Sequence, residues 1–256
     1  MMNRRTFLRA LPAFTVLARL ESGGLASTAT NLAQESSESA PNTSGSADGL
    51  EPIQLVKPET DSGKSVLAAL WERKTIRNIV SKELPPQVLS NLLWAAFGIN
   101  RQKGVLRGDT SGRTAASASN SQEIDLYIAM PKGVYIYDAA GHRLVPIAAG
   151  DFRSRARRRR RGGEATAPLN IFFVVDIDKY KKAPFQEPGL KDPDVQKSYY
   201  YVATGLIAQN VYLYAASQGL AAHFHNCDKE NTPKEFKLRP EQRVLFAQTV
   251  GYPAEG

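Results

Sequence analysis

A chain of 256 residues with 42% hydrophobic content has room for one full-sized domain plus appendages. Its formal charge of +8 is concentrated in two stretches: the first thirty residues and the seven arginines between Arg153 and Arg161. The remainder comes to about −2, which argues against a nucleic-acid surface spread over the fold. No apolar run of about 20 residues follows the N-terminus, so no stable membrane span is expected, and the single cysteine, Cys227, excludes an intrachain disulfide.

In chain order, Asn3-Arg4-Arg5-Thr6-Phe7-Leu8 followed by a mildly apolar stretch reads as a twin-arginine signal over residues 1–30. Export by that route predicts a periplasmic protein that folds before it leaves the cytoplasm. Residues 31–55 are rich in Ser, Ala, Asn, Gly and Glu and read as a flexible linker, which leaves 56–256 as the folded domain. Asp61 or Ser62 is expected to cap a short helix running through Trp71, and Pro86 to open a second helix that Gly98 closes. Ile124–Ile128 and Val134–Tyr137 flank Pro131-Lys132-Gly133 and predict a hairpin, while the apolar run Leu169–Val175 predicts a buried strand. Apolar positions from Val195 to Leu220 recur at helical spacing, so a long helix is expected over about Asp194–Gln218, ending at Gly219. A last strand covers Val244–Val250. Helices around a strand-rich middle make the class α+β.

Two stretches carry chemistry. In Arg73-Lys74-Thr75-Ile76-Arg77, alternate residues of an extended segment share a face, so two guanidinium groups and a hydroxyl stand together. That set suits a dianionic phosphate, because guanidinium groups donate paired, charge-assisted hydrogen bonds. The small polar stretch Gly112–Glu123 leads straight into a strand, where its backbone can approach a flat ligand and its amides can bond a heteroatom edge. A hydrophilic connection would look the same.

These pieces, with Leu92–Arg101, Ala167-Pro168-Leu169-Asn170, Gly205–Asn210, Gly219-Leu220 and Val250-Gly251-Tyr252-Pro253, resemble the nitroreductase-like flavoproteins in order and spacing over about residues 60–253. The resemblance implies a central, mostly antiparallel sheet flanked by helices, in a homodimer with two FMN sites at the subunit interface. It implies that Arg73, Thr75 and Arg77, with Lys74 beside them, hold the FMN phosphate and ribityl chain. By the same resemblance Ser117, Asn120 and Gln122 line the isoalloxazine edge, and the turn at His225 and Asn226 offers a backbone N–H to flavin N5. Many members carry a further basic pair near the C-terminus, whereas this sequence ends soon after Pro253. The implied activity is a two-step hydride or electron transfer through FMN to or from a small organic substrate. The flavin carries the chemistry, so no catalytic side chain is assigned.

Rival readings are weaker. Asp61–Ser65 lacks the first glycine and the leading strand of a phosphate-binding loop, and no G-x-G-x-x-G or G-x-S-x-G occurs. His223, His225 and Cys227 alternate along a strand, but neighbouring ligands would sit roughly 6.6 Å apart at a rise of about 3.3 Å per residue, too far for one zinc ion without a turn. No metal is expected. The arginine run reads as a solvated loop without the interleaved aromatics of a single-strand surface, so neither a nucleic-acid nor a lipid partner is assigned. Nicotinamide cofactors are not expected outside the inner membrane, so the enzyme either uses another reductant or draws electrons from its substrate. The peptide-azoline dehydrogenases of this superfamily, which Arg113–Ile124 also resembles, make the second route concrete. The remaining alternative is a non-catalytic exported flavin or small-ligand binder, since fold does not fix function.

Overall fold

The apolar run that begins at Leu169 forms the strand from which the sheet is organised, and every residue of Leu169–Asp176 is buried. The computed structural model describes residues 49–102, 111–156 and 167–254, all within the unit Ser44–Gly256. In chain order the elements are β1 (Ile53–Gln54), α1 (Val66–Glu72), α2 (Pro86–Phe97), β2 (Ile99–Arg101), β3 (Gly112–Arg113), β4 (Ile124–Met130), β5 (Gly133–Asp138) and β6 (Arg143–Ala149). They continue with β7 (Leu169–Asp176), α3 (Pro193–Ser217), β8 (Ala221–His225), α4 (Thr232–Glu235) and β9 (Gln242–Gly251). The main sheet has the order β1-β6-β5-β4-β7-β9-β8, with every neighbouring pair antiparallel, and β2 pairs with β3 apart from it.

A strand buried on both faces needs cover on both sides. Leu92 and Leu93 of α2 and Ile207 and Val211 of α3 cluster with Ile128, Ile171 and Phe173 on one face. Tyr127, Phe172 and Val174 cluster with Phe236, just after α4, on the other. Asp192 caps α3 by accepting from the N–H groups of Asp194 and Val195, Pro193 occupies its first turn, and Gly219 leaves it at φ +68°. The long helix therefore has both of its expected ends.

Three expectations shift. Ser65, not Asp61 or Ser62, caps α1, accepting from Ala68 N–H at 3.3 Å. The start is delayed because Gly63 turns the chain at φ +88° and Lys64 N–H is taken by the Ser217 carbonyl at the end of α3. The sheet also begins inside the stretch expected as linker: Ile53 and Gln54 pair with Leu144 and Arg143, and Leu55 is buried. Strand β6 has no counterpart in the sequence reading because Pro146 interrupts it, and the sheet accommodates that proline beside a register shift at Val134/Tyr135. Of the arginine run, Arg153 bonds Asp151, and Arg155 bonds Glu235 and approaches Asp228, so these two are anchored to the fold rather than solvated. Arg157–Arg161, like residues 1–30, for which a twin-arginine signal is expected, lie outside the described residues.

Candidate functional site

Arg73 ends α1 with extended backbone, φ −56° and ψ 120°, and the chain then runs beside the edge strand β8, where Ile76 N–H donates to Ala222 O at 3.1 Å. Ile76 packs toward Ile79, Ala167 and Ala221. With Ile76 turned inward, Lys74, Thr75 and Arg77 stand exposed and Arg73 half-buried. Tyr212 of α3 braces this segment. Its hydroxyl accepts from Phe224 N–H of β8 at 2.9 Å and lies 3.1 Å from Thr75 Oγ1, while the Arg73 guanidinium sits 5.5 Å from its ring centroid. Arg73 and Thr75 are thus brought together at Tyr212, and Arg77 follows two residues on, exposed and near enough for its charge to act on His223.

On β8 itself His223 and His225 share the face opposite Phe224, their ring centroids 4.6 Å apart. Burial, followed by the positive charges of His225 and Arg77, pushes the His223 imidazole down to about 4, so it is neutral at pH 7. His225 Nε2 lies 2.8 Å from Thr249 Oγ1, and its Nδ1 lies 2.9 Å from Asn226 O. The Asn226 side chain accepts from Cys227 N–H at 3.0 Å. Cys227 is buried in the core of that face, and burial pushes its thiol up to about 12, which leaves it no thiolate character at neutral pH. Among the described residues no group of three His, Cys, Asp or Glu side chains converges for a metal ion.

Residues 111–122 form a second centre with a different character. Arg113 donates to Gln122 Oε1 at 2.6 Å and to Phe97 O at 3.1 Å, and Gln122 Nε2 donates to Ser111 O at 2.8 Å and Asn120 Oδ1 at 3.1 Å. Asn120 Nδ2 donates to Ser111 O, and Ser117 Oγ accepts from Gln122 N–H at 3.0 Å. Ser119, Asn120 and Gln122 hold φ of 53°, 52° and 50°, a left-handed conformation that non-glycine residues adopt at some cost. Such strain persists only where surrounding bonds over-determine it, and it gathers at ligand clamps.

Within one chain these centres are separated. Asn210 of α3 reaches toward Ala96 O and Thr114 O, whereas Tyr212 reaches Thr75 and β8. Residues two apart on a helix point roughly 200° apart, so helix α3 stands between Arg73–Arg77 and the 111–122 loop. Sequence reasoning did not find Tyr212, Asn170 or Thr249. Only the polar Asn170 inside an otherwise apolar strand signalled that something on the sheet needed a partner. His142 was also missed. It bonds Tyr137 OH, Ser90 Oγ and Val56 O, and Ser90 is fully buried, so this group clips β1 to α2 and is no nucleophilic pair.

Comparison with known proteins identifies the fold and the family. The family model "Nitroreductase family" matches residues 70–252. A protein of Methanocaldococcus jannaschii named as a nitroreductase is 25% identical over 191 residues, covering 71% of this chain and 88% of that one. A crystal structure of a protein named as a nitroreductase from Ralstonia eutropha superposes with a TM-score of 0.70 at 32% identity, over 83% of this chain and 93% of that chain. A chain of the Escherichia coli microcin synthetase McbBCD complex shares the fold, with a TM-score of 0.58 at 18% identity over 81% and 80% of the two chains. The chain belongs to the nitroreductase family of flavin-dependent oxidoreductases.

Proposed function

We propose that this protein is an exported, homodimeric oxidoreductase that binds FMN between subunits and passes electrons between two small-molecule partners in successive half-reactions. The observation that carries the reading is the cationic face on the β8 edge. The Arg73 guanidinium and the Thr75 hydroxyl, braced by Tyr212, with the exposed Arg77 two residues on, match the donors that a ribityl phosphate needs. The 111–122 loop fits the rest of the group: a strained, internally bonded surface with small side chains is suited to contact a flat ring.

Because α3 separates the two centres within a chain, a single ligand can touch both only if the loop comes from a second copy. The exposed face of α3 supports such a pairing. Tyr201, Val202 and Leu206 are exposed there, and the space beside Gly205 is open. Val66, Leu67, Leu70 and Trp71 of α1 are likewise uncovered, with Trp71 at 91% exposure. A self-complementary patch of this kind is what a two-fold dimer buries.

When bound, the flavin supplies the hydride or electron transfer. Arg73, Thr75 and Arg77 bind and orient it, with Lys74 adding charge. Ser117, Asn120 and Gln122 shape the wall of the ring site, and the turn at His225 and Asn226 closes it. Among the described residues no helix is long and apolar enough to cross a membrane. The twin-arginine motif supports export of the folded, loaded protein to the periplasm, where the electron source is the substrate itself or a reductant other than nicotinamide.

The test is an absorbance spectrum combined with light scattering. A yellow dimer that bleaches with a chemical reductant and recovers on adding an acceptor supports the reading. A colourless protein that takes up no FMN overturns it, and a stable monomer that still holds FMN overturns the shared site. Replacing Arg4 and Arg5 by lysine should leave the protein folded in the cytoplasm, and undiminished periplasmic yield would refute the export route.

A further inference from the structure

The hydrogen bonds around His225 determine its protonation state. Asn170 donates its amide to Arg153 O at 3.2 Å, so its Oδ1 is the atom that faces Thr249. Thr249 gives its only hydroxyl hydrogen to that oxygen, at 2.6 Å. The Thr249 oxygen can then meet His225 Nε2 only as an acceptor, so Nε2 carries a hydrogen. Nδ1 faces the carbonyl of Asn226, which has nothing to donate, so Nδ1 carries one as well. An imidazole protonated on both nitrogens is a cation.

We propose that the Thr249–Asn170 relay holds His225 as an imidazolium at neutral pH, and that His225 and Arg77 together give the β8 edge a fixed positive charge that binds the anionic part of the flavin. The relay stands on this chain's own hydrogen bonds. The role toward a ligand rests on the flavin reading above. Because both N–H groups of His225 are committed, it acts by charge and not by passing a proton.

Its neighbours are consistent with one charged and one neutral ring. His223, on the same face of β8, has no hydrogen-bond partner for its ring among the described residues. Burial first, and then the cations beside it, hold it neutral. Arg77 opposes the charge on His225, and the two acceptors at its ring nitrogens oppose that repulsion. β9 and β7 offer Ala247, Thr249, Asn170 and Phe172 on this face, none of them charged. Beyond the strand, Asp228 is engaged by Asn231 and Arg155, Lys229 stands over the Phe246 ring at 5.1 Å, and neither Glu230 nor His225 lacks a partner. Environments that push two adjacent titratable groups apart are the usual mark of distinct roles.

Nitrogen-detected NMR of the histidine rings in the full protein tests the relay without any flavin. The expected result is a doubly protonated His225 at pH 7, with its midpoint above the ordinary histidine value. Thr249→Val should lower that midpoint by about one unit and Thr249→Ser should preserve it. A single neutral tautomer at pH 7, or an unchanged midpoint in Thr249→Val, would overturn the proposal. FMN titration followed by flavin fluorescence tests the role, with His225→Gln expected to weaken binding roughly tenfold. Equal affinity in that variant overturns the role while leaving the flavin reading intact. Failure of the wild type to bind FMN overturns the flavin reading while the imidazolium, read by NMR, stands.

Discussion

The Arg73–Arg77 segment and the 111–122 loop are both polar, and both carry residues assigned to the flavin, yet they differ in how their groups are spent. Lys74, Thr75 and Arg77 stand exposed, and the bracing falls on Tyr212. In the loop the Asn120 and Gln122 amides and the Ser117 and Ser121 hydroxyls are committed to other parts of the same loop, Thr114 and Ser119 bond Trp94 O and Glu187 outside it, and the backbone is strained at three residues. On the flavin reading proposed above, the first region recognises charge and the second presents a shape. Mutations should therefore be read out differently in each: as affinity alone in the cationic face, as stability together with affinity in the loop, whose shape depends on its internal bonds.

The largest effect expected is on the loop. Gln122→Ala removes an acceptor from the Arg113 guanidinium, which burial already disfavours in its charged form, and should cost about 2–3 kcal/mol in a urea melt. Arg77→Ala should change that melt by less than about 0.5 kcal/mol. Its effect belongs to binding: FMN affinity should fall by about 1.5–3 kcal/mol, a tenfold to hundredfold loss in a fluorescence titration. A large stability loss in Arg77→Ala would erase the distinction between the regions.

Smaller effects sharpen it. Ser119→Val places a β-branched side chain at φ 53° and should destabilise by about 1–2 kcal/mol, whereas Ser119→Gly should stay within about 0.5 kcal/mol of wild type. Equal cost for both would mean that the Glu187 bond and not the backbone governs this position. The smallest effect is pH-dependent. His223 has its folded value pushed from 6.5 down to about 4, so between those values the unfolded chain binds more protons. The stability it contributes is present above pH 6.5 and is lost as pH falls toward 4. His223→Asn should flatten the thermal-melt profile over that window, and an unchanged slope would show that the ring is solvated.

How much of this was legible in the sequence follows from which forces act locally. Leu169–Asp176 and Pro193–Ser217 announce themselves because an apolar run and a helical period with capping residues are one-dimensional signals. The Arg73–Arg77 face was legible for the same reason: alternation along a short extended segment is local. Strand β6 was hidden by Pro146, which sits beside the extra residue Ile147 of β6 and beyond the two residues that pair with β1. The left-handed backbone at Ser119, Asn120 and Gln122 could not be read, since serine and glutamine carry no such preference and the bonds that enforce it come from Ser111, Arg113 and Ser117. The charge on His225 was further out of reach, because it depends on three strands aligning Asn170, Thr249 and His225 in register.

The central claim is that one flavin site is made from the cationic face of one chain and the loop of another. Mixed dimers test it most directly. Arg77→Ala and Gln122→Ala, each folded at the assay temperature, should each bind FMN poorly alone. In a dimer containing one chain of each kind, a shared site predicts that both defects fall in the same site and the other is restored, so about one high-affinity FMN per dimer returns. If the mixed dimer binds no better than either parent, each site lies within a single chain, and the shared arrangement is wrong.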